Sequence, residues 1–442
     1  RTHDAGSLNA KSVGTKVVLA GWVARRRDHG GVAFIDLRDS TGAVQVVIND
    51  EKVAGELRAE WCVLITGSVK MRPAGNENKE IATGEIEVVC ELLEVLSEAA
   101  ALPFPVDSGD IGNISEEVRL KYRYLDLRRE GPAKNLRLRS KVTTAIRDVM
   151  GEADFLEIET PYLTRSTPEG ARDFLVPVRL QPGSWYALPQ SPQLFKQLLM
   201  VAGMERYYQI ARCFRDEDSR GDRQPEFTQM DLEMSFASMD DIIKLNSDML
   251  VKVIKTVYAN SKWVLKPFIT ITYAESMEKY GCDRPDLRFG LQMQDITEIV
   301  KDTTFQVFSK PIEDGGIVKC IKVSAKEQGN KRMSKGQIEN LTAIAQQNGL
   351  GGLAYIIVNE NDLQSPIIKF LGEEIAANII IATDAQIGDI VFFSAADYAT
   401  ANKALDAVRQ EMGRILKLIN PKELRPAWVV DFPMFEKTDE GR

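Results

Sequence analysis

The fold of this 442-residue chain is decided by the stretch 214–231, which reads Phe-Arg-Asp-Glu-Asp-Ser-Arg-Gly-Asp-Arg-Gln-Pro-Glu-Phe-Thr-Gln-Met-Asp. Apolar and polar residues alternate on both sides of its charged centre, which predicts two strands at 207–214 and 227–233 joined by a loop. Arg215 and Glu217 leave the first strand on the same side, and Phe227 opens the second. A guanidinium, a carboxylate and an aromatic ring suit a phosphate, an exocyclic amine and a base. The alternative is a surface hairpin with salt-bridged strands.

The order Phe-Arg-x-Glu, loop and Phe-rich strand resembles motif 2 of the class II aminoacyl-tRNA synthetases. The text at 190–197 and 223–229 looks like that of the bacterial-type aspartate enzymes, and the likeness extends through nearly the whole chain. The resemblance implies an α+β catalytic domain with an antiparallel sheet. It implies an aspartate–tRNA ligase that makes aspartyl-adenylate from L-aspartate and ATP, works as a homodimer and charges tRNA(Asp).

The resemblance also implies roles for individual side chains. Arg215 should act as the catalytic residue between the substrate carboxylate and the α-phosphate. Lys196 should bind the side-chain carboxylate of aspartate, and Asp231 the ammonium. The other expected aspartate-binding residues are Glu169, Ser191, Gln193 and Gln229, and the other expected ATP-binding residues are Asp216, Glu217, Gln224 and Phe227. Without the resemblance, Lys196 would be interpreted as a snorkelling surface lysine and Asp231 as a strand-edge ion-pair partner.

Composition argues against several other classes of protein. The chain has only two histidines, His3 and His29, and its five cysteines are far apart. This excludes an HExxH metal site and a CxxC zinc ribbon, so no metal site is expected within the chain. A hydrolase triad would need one of the two N-terminal histidines, and neither has a nucleophile-elbow partner. Free thiols suit a reducing cytosol, which predicts a cytoplasmic protein. No apolar run approaches the roughly 20 residues that span a bilayer, the start lacks a signal peptide's apolar segment, and no membrane partner is expected.

The segment from about 17 to 96 predicts a small β-barrel. Five short alternating strands with Gly-rich turns, and one helix near 52–60, favour an OB-fold. Because the net charge is −8, the protein as a whole does not attract RNA, and RNA would have to bind at local stripes of positive charge on the surface. The resemblance implies that the anticodon is contacted by Arg25, Arg27, His29, Phe34 and Gln45. The alternative for Phe34 is a place in the barrel core.

His29 bears on the choice of tRNA. In the related enzymes restricted to their own tRNA, this loop position is commonly leucine, whereas relatives that charge two tRNAs often carry the Arg-Arg-Arg-Asp-His-Gly-Gly of residues 25–31. The resemblance therefore implies a non-discriminating enzyme that also aspartylates tRNA(Asn). The alternatives are a loop histidine without this role in a discriminating enzyme specific for tRNA(Asp), a lysine- or asparagine-type synthetase, and a catalytically incomplete tRNA-binding fragment.

Shifts in composition predict the order of domains. The expected segments are an OB-fold anticodon-binding domain at 1–104, a hinge at 105–130, the first part of the catalytic domain with motifs 1 and 2 at 131–282, an inserted α+β (GAD-type) domain at 283–416, and the catalytic domain resumed at 417–442. The resemblance places motif 3 and the ligands of Mg²⁺ beyond residue 442.

Two local features complete the sequence-based expectations. The basic helical text from Ser115 is split at Gly131-Pro132, and its longer helix is followed by a strand at 155–160 that ends at Pro161. Helix, strand and proline resemble class II motif 1, which implies a dimer interface at Pro161. The sequence 331–336 is similar to the KMSK loop of class I synthetases, but the histidine clasp that those enzymes need is missing. Ser334 is therefore interpreted as the N-cap of a helix.

Overall fold

The computed structural model describes residues 1–29, 32–107, 114–167, 169–259, 261–329 and 331–435. The chain divides into two compact units, residues 1–141 and 142–442. A search of the described helices finds none with the length and apolarity needed to cross a membrane.

The first unit contains a closed five-stranded barrel in the order β1-β2-β3-β5-β4. Its elements are β1 Lys16–His29, β2 Val32–Arg38, β3 Ala43–Ile48, α1 Glu51–Glu56, β4 Cys62–Met71 and β5 Ile86–Ser97, after two 3-10 turns at Ala5–Ser7 and Ala10–Ser12. Alternate residues of each strand fill the barrel, as Ile35 and Leu37 do. The OB-fold prediction is confirmed. The helix predicted at 52–60 ends earlier, at Glu56, and Glu60 has a left-handed backbone with φ 64°.

Three helices follow the barrel, namely α2 Glu116–Lys121, α3 Arg123–Asp126 and α4 Glu130–Glu152. The predicted split at Gly131-Pro132 is wrong by a few residues, because the break falls at 127–129. Pro132 lies in the first turn of α4, where an N–H would have no intrahelical acceptor and proline is tolerated.

The second unit begins with a three-stranded sheet in the order β10-β9-β6, in which β9 and β10 are antiparallel and β6 runs parallel to β9. The elements in this part of the chain are β6 Leu156–Glu157, β7 Leu175–Pro177, β8 Trp185–Ala187, α5 Gln193–Val201, β9 Arg206–Phe214, β10 Glu226–Met234, α6 Met239–Val257, β11 Val264–Leu265, β12 Ile269–Thr272 and α7 Tyr273–Tyr280. The two strands predicted around the charged loop are present. The strand predicted at 155–160 is shorter, because only Leu156 and Glu157 pair with β9 before the chain turns to Pro161.

A five-stranded sheet in the order β13-β14-β17-β15-β16 lies further along the chain, with apolar clusters on both faces. The elements in this part of the chain are β13 Met293–Asp295, α8 Thr297–Val300, α9 Gln306–Glu313, β14 Ile317–Val323, α10 Lys335–Gln347, β15 Ala354–Val358, β16 Leu363–Gln364, α11 Ile368–Leu371, α12 Glu373–Thr383, β17 Ile390–Ala396 and α13 Tyr398–Ile415. Ser334 caps α10 by accepting from the Gln337 backbone N–H, as predicted.

After this sheet the chain returns to β12, the strand that precedes α7. The last strands are β18 Glu423–Leu424 and β19 Ala427–Val430. β19 pairs in parallel with β12, and β12 leads directly into α7, the helix from which the chain departs. The residues between α7 and β18 therefore form a segment whose two ends both lie near β12.

A buried lysine joins the five-stranded sheet to α7. Lys319 of β14 is fully buried, and its Nζ donates to the carbonyl oxygens of Met277 and Glu278 at 3.3 and 2.9 Å. It also donates to Asn402 Oδ1 at 3.1 Å and lies 2.9 Å from Glu278 Oε2. The two carbonyls belong to the last turn of α7, where a cation is favoured by the helix dipole.

We expect Lys319→Met to lower the free energy of unfolding by about 2–4 kcal/mol, because the methionine leaves buried carbonyl and amide oxygens without a donor. Urea unfolding followed by circular dichroism measures the change. Lys322→Met is the matched control, since Lys322 lies on the same strand and makes one 2.8 Å bond to the Asp384 carbonyl. Its loss should stay below about 1 kcal/mol. Equal losses for both variants would contradict a special role for Lys319.

Candidate functional site

The floor of the candidate site is one face of the β9–β10 pair. The antiparallel register sets Gln209 opposite Asp231, Ala211 opposite Gln229 and Tyr207 opposite Glu233. Because side chains alternate along a strand and directly paired residues share a face, these residues all project to one side. The predicted residues Gln229 and Asp231 are therefore neighbours on a single surface.

Helix α5 brings Lys196 onto this floor. Its Nζ lies 2.9 Å from Asp231 Oδ1 and 3.4 Å from Glu233 Oε2, with the Lys196 and Asp231 side chains 12% and 11% exposed. The other carboxylate oxygen, Asp231 Oδ2, is buried and has no hydrogen-bond partner among the described residues. The snorkelling-lysine alternative is wrong, since the ammonium is held inside by two carboxylates.

Arg215 and Phe227 lie at the loop end of the same strand pair. The guanidinium of Arg215 stands 5.1 Å from the centroid of the Phe227 ring, and its Nε is buried with no partner in the described part of the chain. The Arg215 backbone N–H donates to the Pro225 carbonyl at 2.8 Å, which closes the loop. Asp216, Glu217 and Gln224 are exposed around it. The result is a cation and a ring beside an open, polar loop.

A second loop holds Glu169 against the start of α5. Ser191 Oγ donates to Glu169 Oε2 at 2.8 Å and accepts from the Gln193 backbone N–H at 3.3 Å. Gln190, almost fully buried, clamps the loop by bonding both the N–H and the carbonyl of Ala171 at 3.1 and 2.9 Å. The predicted residues Glu169, Ser191 and Gln193 are therefore connected by hydrogen bonds, although Glu169 comes from a separate part of the sequence.

Cys213 lies on the same face of β9, between the Arg215 and Asp231 regions. Its Sγ is 3.4 Å from Gln229 Oε1, and burial, followed by the charge of Asp231, raises the pKa of the thiol to about 11. The neutral S–H therefore donates weakly to the Gln229 carbonyl oxygen. This orients the Gln229 amide group with its nitrogen away from the sulfur.

The barrel carries the second candidate site on an outer face of β1, β2 and β3. Phe34 is half-buried, while its neighbours Ala33 and Ile35 are in the core, so the core interpretation of Phe34 is wrong. Arg27 pairs with Phe34 across the strands, and its Nη2 lies 2.9 Å from Asp36 Oδ1.

Other members of this barrel face are linked in the same way. Gln45 accepts from Arg27 at 3.5 Å and donates to Glu87 Oε2 at 3.0 Å. Arg25 forms an ion pair with Asp107 at 3.2 Å. His29 ends β1, and its side chain lies outside the part of the chain that the structure describes. Cations, a ring and an amide thus share one surface, as single-stranded nucleic acid requires.

The structure separates the predicted residues into groups. It places Lys196, Gln229 and Asp231 on one floor, Arg215 and Phe227 at its loop end, and Glu169, Ser191 and Gln193 in the adjoining loop. Sequence reasoning missed Glu233 and Tyr207, although period two counted from Asp231 and from Gln209 would have found them. In the described ranges, no cluster of three or more His, Cys, Asp or Glu side chains is placed to hold a metal ion.

A closed five-stranded barrel, followed along the chain by an antiparallel strand pair that carries this arginine, carboxylate, loop and phenylalanine, is the arrangement expected of a class II aminoacyl-tRNA synthetase. Two family models match the chain, "OB-fold nucleic acid binding domain" over residues 17–96 and "tRNA synthetases class II (D, K and N)" over residues 115–440. The chain therefore belongs to the class II tRNA synthetases of the D, K and N type. The letters stand for aspartate, lysine and asparagine.

Similar curated proteins narrow the relationship. The "Aspartate--tRNA(Asp/Asn) ligase" of Nocardioides sp. (strain ATCC BAA-499 / JS614) is 55% identical over 443 residues, which cover 100% of this chain and 72% of that protein. The protein of the same name from Mycolicibacterium smegmatis is 54% identical over 446 residues, with the same coverage. The resemblance to the aspartate enzymes is confirmed.

Solved structures support the fold independently. The asparaginyl-tRNA synthetase of Pyrococcus horikoshii complexed with asparaginyl-adenylate superposes with a TM-score of 0.53 at 18% identity, covering 96% of this chain and 100% of that one. The aspartyl-tRNA synthetase of Entamoeba histolytica gives 0.52 at 15% identity, covering 96% and 93%. At such identities the likeness concerns the fold alone.

Proposed function

We propose that this synthetase activates L-aspartate with ATP and transfers the aspartyl group to tRNA(Asp) and tRNA(Asn). A carboxylate oxygen of aspartate attacks the α-phosphate, pyrophosphate leaves, and a ribose hydroxyl of the tRNA then displaces AMP from the adenylate. No side-chain nucleophile is required, so the protein contributes positioning and charge stabilisation. The names of the relatives described above support this substrate and these two tRNAs.

The observation that carries the proposal is the Lys196–Asp231 ion pair on the pocket floor. Aspartate brings its own carboxylate for Lys196 and its own ammonium for Asp231, whose Oδ2 has no donor in the described structure. Binding therefore gives both Lys196 and Asp231 an oppositely charged partner on the substrate. Asparagine would place a neutral amide against the ammonium of Lys196, which is disfavoured in a site shielded from water.

Arg215 and Phe227 fit the nucleotide. The Nε of Arg215, which is buried and has no partner among the described residues, offers a phosphate or carboxylate oxygen a charge-assisted bond, and the Phe227 ring offers a stacking face. We assign Arg215 to the α-phosphate and the attacking carboxylate, Glu217 to the adenine amine, and Gln224 with Asp216 to the remainder of ATP. Glu169 and Ser191, held together at 2.8 Å, close the substrate side with Gln193.

The barrel face formed by Arg25, Arg27, Phe34 and Gln45 suits the anticodon. The guanidinium groups meet phosphates, the half-buried ring stacks on a base, and the Gln45 amide reads a base edge. We extend the proposal to His29 as the position that admits a second anticodon. A homodimer with Pro161 at its interface, a cytoplasmic location and use of Mg²⁺ remain predictions, and no described residue is assigned to the metal.

We expect Lys196→Leu in the full-length protein to lower aspartate-dependent pyrophosphate exchange at least about 100-fold, the equivalent of an ionic contact of about 3 kcal/mol. Arg212→Leu is the matched control, because Arg212 lies on the opposite face of the same sheet and pairs with Glu226 at 3.3 Å. The control should retain activity within about twofold, as expected of an exposed pair. Nearly unchanged exchange in Lys196→Leu would remove the basis for aspartate as the substrate.

Arg215→Ala should lower kcat as well as the apparent affinity for ATP, because the guanidinium is assigned to the pentavalent phosphate as well as to the ground state. Steady-state pyrophosphate exchange at varied ATP separates the two effects. Glu217→Gln should instead weaken discrimination of ATP from GTP and change kcat for ATP little. If Arg215→Ala alters only KM, Arg215 acts in ground-state binding and the catalytic assignment is wrong.

His29→Leu should reduce charging of tRNA(Asn) more than charging of tRNA(Asp), by roughly 1–2 kcal/mol, the scale of one base contact. The two anticodons differ at their third base, and leucine offers that base no hydrogen bond. Aspartylation of both transcripts is compared at one salt concentration, because phosphate contacts depend on salt. A wild-type protein that cannot aspartylate tRNA(Asn) would be a discriminating enzyme.

A further inference from the structure

Three buried polar side chains lie beside Asp231 or contact its neighbours, and the function proposed above assigns them no role. Tyr207 is 0%, Gln209 3% and Thr160 8% exposed. Thr160 Oγ1 and the Tyr207 hydroxyl oxygen each lie 2.9 Å from the same atom, Gln209 Oε1. Burying three polar groups is unfavourable unless they form hydrogen bonds with one another, as these three do. Apolar side chains would fill the same space without that requirement, which points to a role other than packing.

The position of the tyrosine suggests that reason. Tyr207 and Gln209 share the face of β9 that bears the site, and Gln209 is the direct strand partner of Asp231. Burial, and next the charge of Asp231, raise the pKa of the Tyr207 phenol. The hydroxyl therefore keeps its proton at any physiological pH and stands beside the carboxylate as a neutral donor.

The two donors on Gln209 Oε1 make the tyrosine free to change partner. A hydroxyl hydrogen rotates to suit its surroundings, and a carbonyl oxygen accepts two hydrogen bonds. If the Tyr207 hydrogen turns towards Asp231, the Thr160 hydroxyl still satisfies Gln209. Such a turn is needed when the substrate carboxylate draws Lys196 away, because Asp231 then loses the 2.9 Å contact that holds it.

We propose that Tyr207 is a positioning residue that holds the Asp231 carboxylate for the substrate ammonium, and that Thr160, acting through Gln209, keeps its hydroxyl available. This inference rests on the proposed assignment of Asp231 to aspartate. It connects the segment after β6, which contains Thr160, to the amino-acid pocket by a continuous chain of side chains.

The test measures pyrophosphate exchange by the full-length protein at varied aspartate and varied ATP. Tyr207→Phe keeps the ring and removes the hydroxyl, and should raise KM for aspartate about 5–20-fold while KM for ATP stays within about twofold. The elevation should be constant from pH 7 to 9, since the wild-type hydroxyl does not ionise there. Tyr208→Phe is the matched control. Tyr208 is also buried on β9, but its hydroxyl bonds Glu157 at 3.1 Å, so KM for aspartate should not change.

Thr160 supplies an independent measurement if Tyr207→Phe folds poorly. Thr160→Val is isosteric and lacks the hydroxyl, and should raise KM for aspartate about 2–5-fold. Thr160→Ser restores the hydroxyl and should restore KM. The Tyr207→Phe/Thr160→Val double variant should show less than the product of the single effects, because both act on one chain of contacts.

The outcomes separate this inference from the function on which it rests. Asp231→Asn that leaves KM for aspartate unchanged would overturn both. Asp231→Asn that raises KM for aspartate, with Tyr207→Phe without effect, would overturn only the positioning role. A rise in KM for aspartate and ATP alike in Tyr207→Phe, or the same rise in Tyr208→Phe, would show general damage to the sheet and also overturn it.

Discussion

Nine consecutive residue pairs join β9 to β10, from Arg206–Met234 to Phe214–Glu226. This register is the constraint on which the candidate site depends, because the side-chain period of a strand is two. A slip by one residue would turn Gln229 and Asp231 to the opposite face of the sheet. The long pairing, a buried Tyr207 and the helix α5 that contacts both strands resist such a slip. The chemistry of the pocket therefore follows from backbone pairing before any ligand binds.

The ion pair on that floor is better explained by function than by stability. Two charges that are nearly buried lose most of their hydration, and their mutual attraction offsets this only in part. An apolar pair of similar volume would serve the fold at least as well. What the ion pair provides is an ammonium and a carboxylate side by side, which would be complementary to a molecule that carries a carboxylate and an ammonium. Glu233, whose Oε2 lies 3.4 Å from Lys196 Nζ, adds a second negative charge beside the lysine ammonium.

Local patterns in the sequence predicted the features that depend on neighbouring residues. Period two located both strands around the charged loop, Gly-rich turns and alternation located the barrel, and Ser334 marked the start of α10. The position of Phe34 on an outer face could have been read from the same alternation, once Ile35 was placed in the core. These are properties of short segments, and tertiary structure changed them little.

The features that escaped prediction arise from contacts between distant segments. Lys196 contacts Asp231 across 35 residues of sequence, and Thr160 contacts Gln209 across 49, because α5 and the segment after β6 both pack against the same strand pair. Lys319 similarly reaches α7 from a strand more than 40 residues away. The periodicity of apolar residues along the sequence does not predict such long-range contacts. The family resemblance supplied the roles of Lys196 and Asp231, but not their contact in the unliganded pocket.

A few buried side-chain nitrogen and oxygen atoms of the described residues have no hydrogen-bond partner, and one of them lies in the pocket. Arginine nitrogens are frequent among such atoms in the described chain, as at Arg72 and Arg409, since a guanidinium has five N–H donors and seldom fills all of them. A carboxylate oxygen is different, because a buried anionic acceptor without a donor costs about 1–3 kcal/mol or more. Asp231 Oδ2 is the one carboxylate oxygen found in this state among the described residues. Under the proposed assignment this oxygen lies where the substrate ammonium would bind, so aspartate would bring a donor that the described residues do not supply.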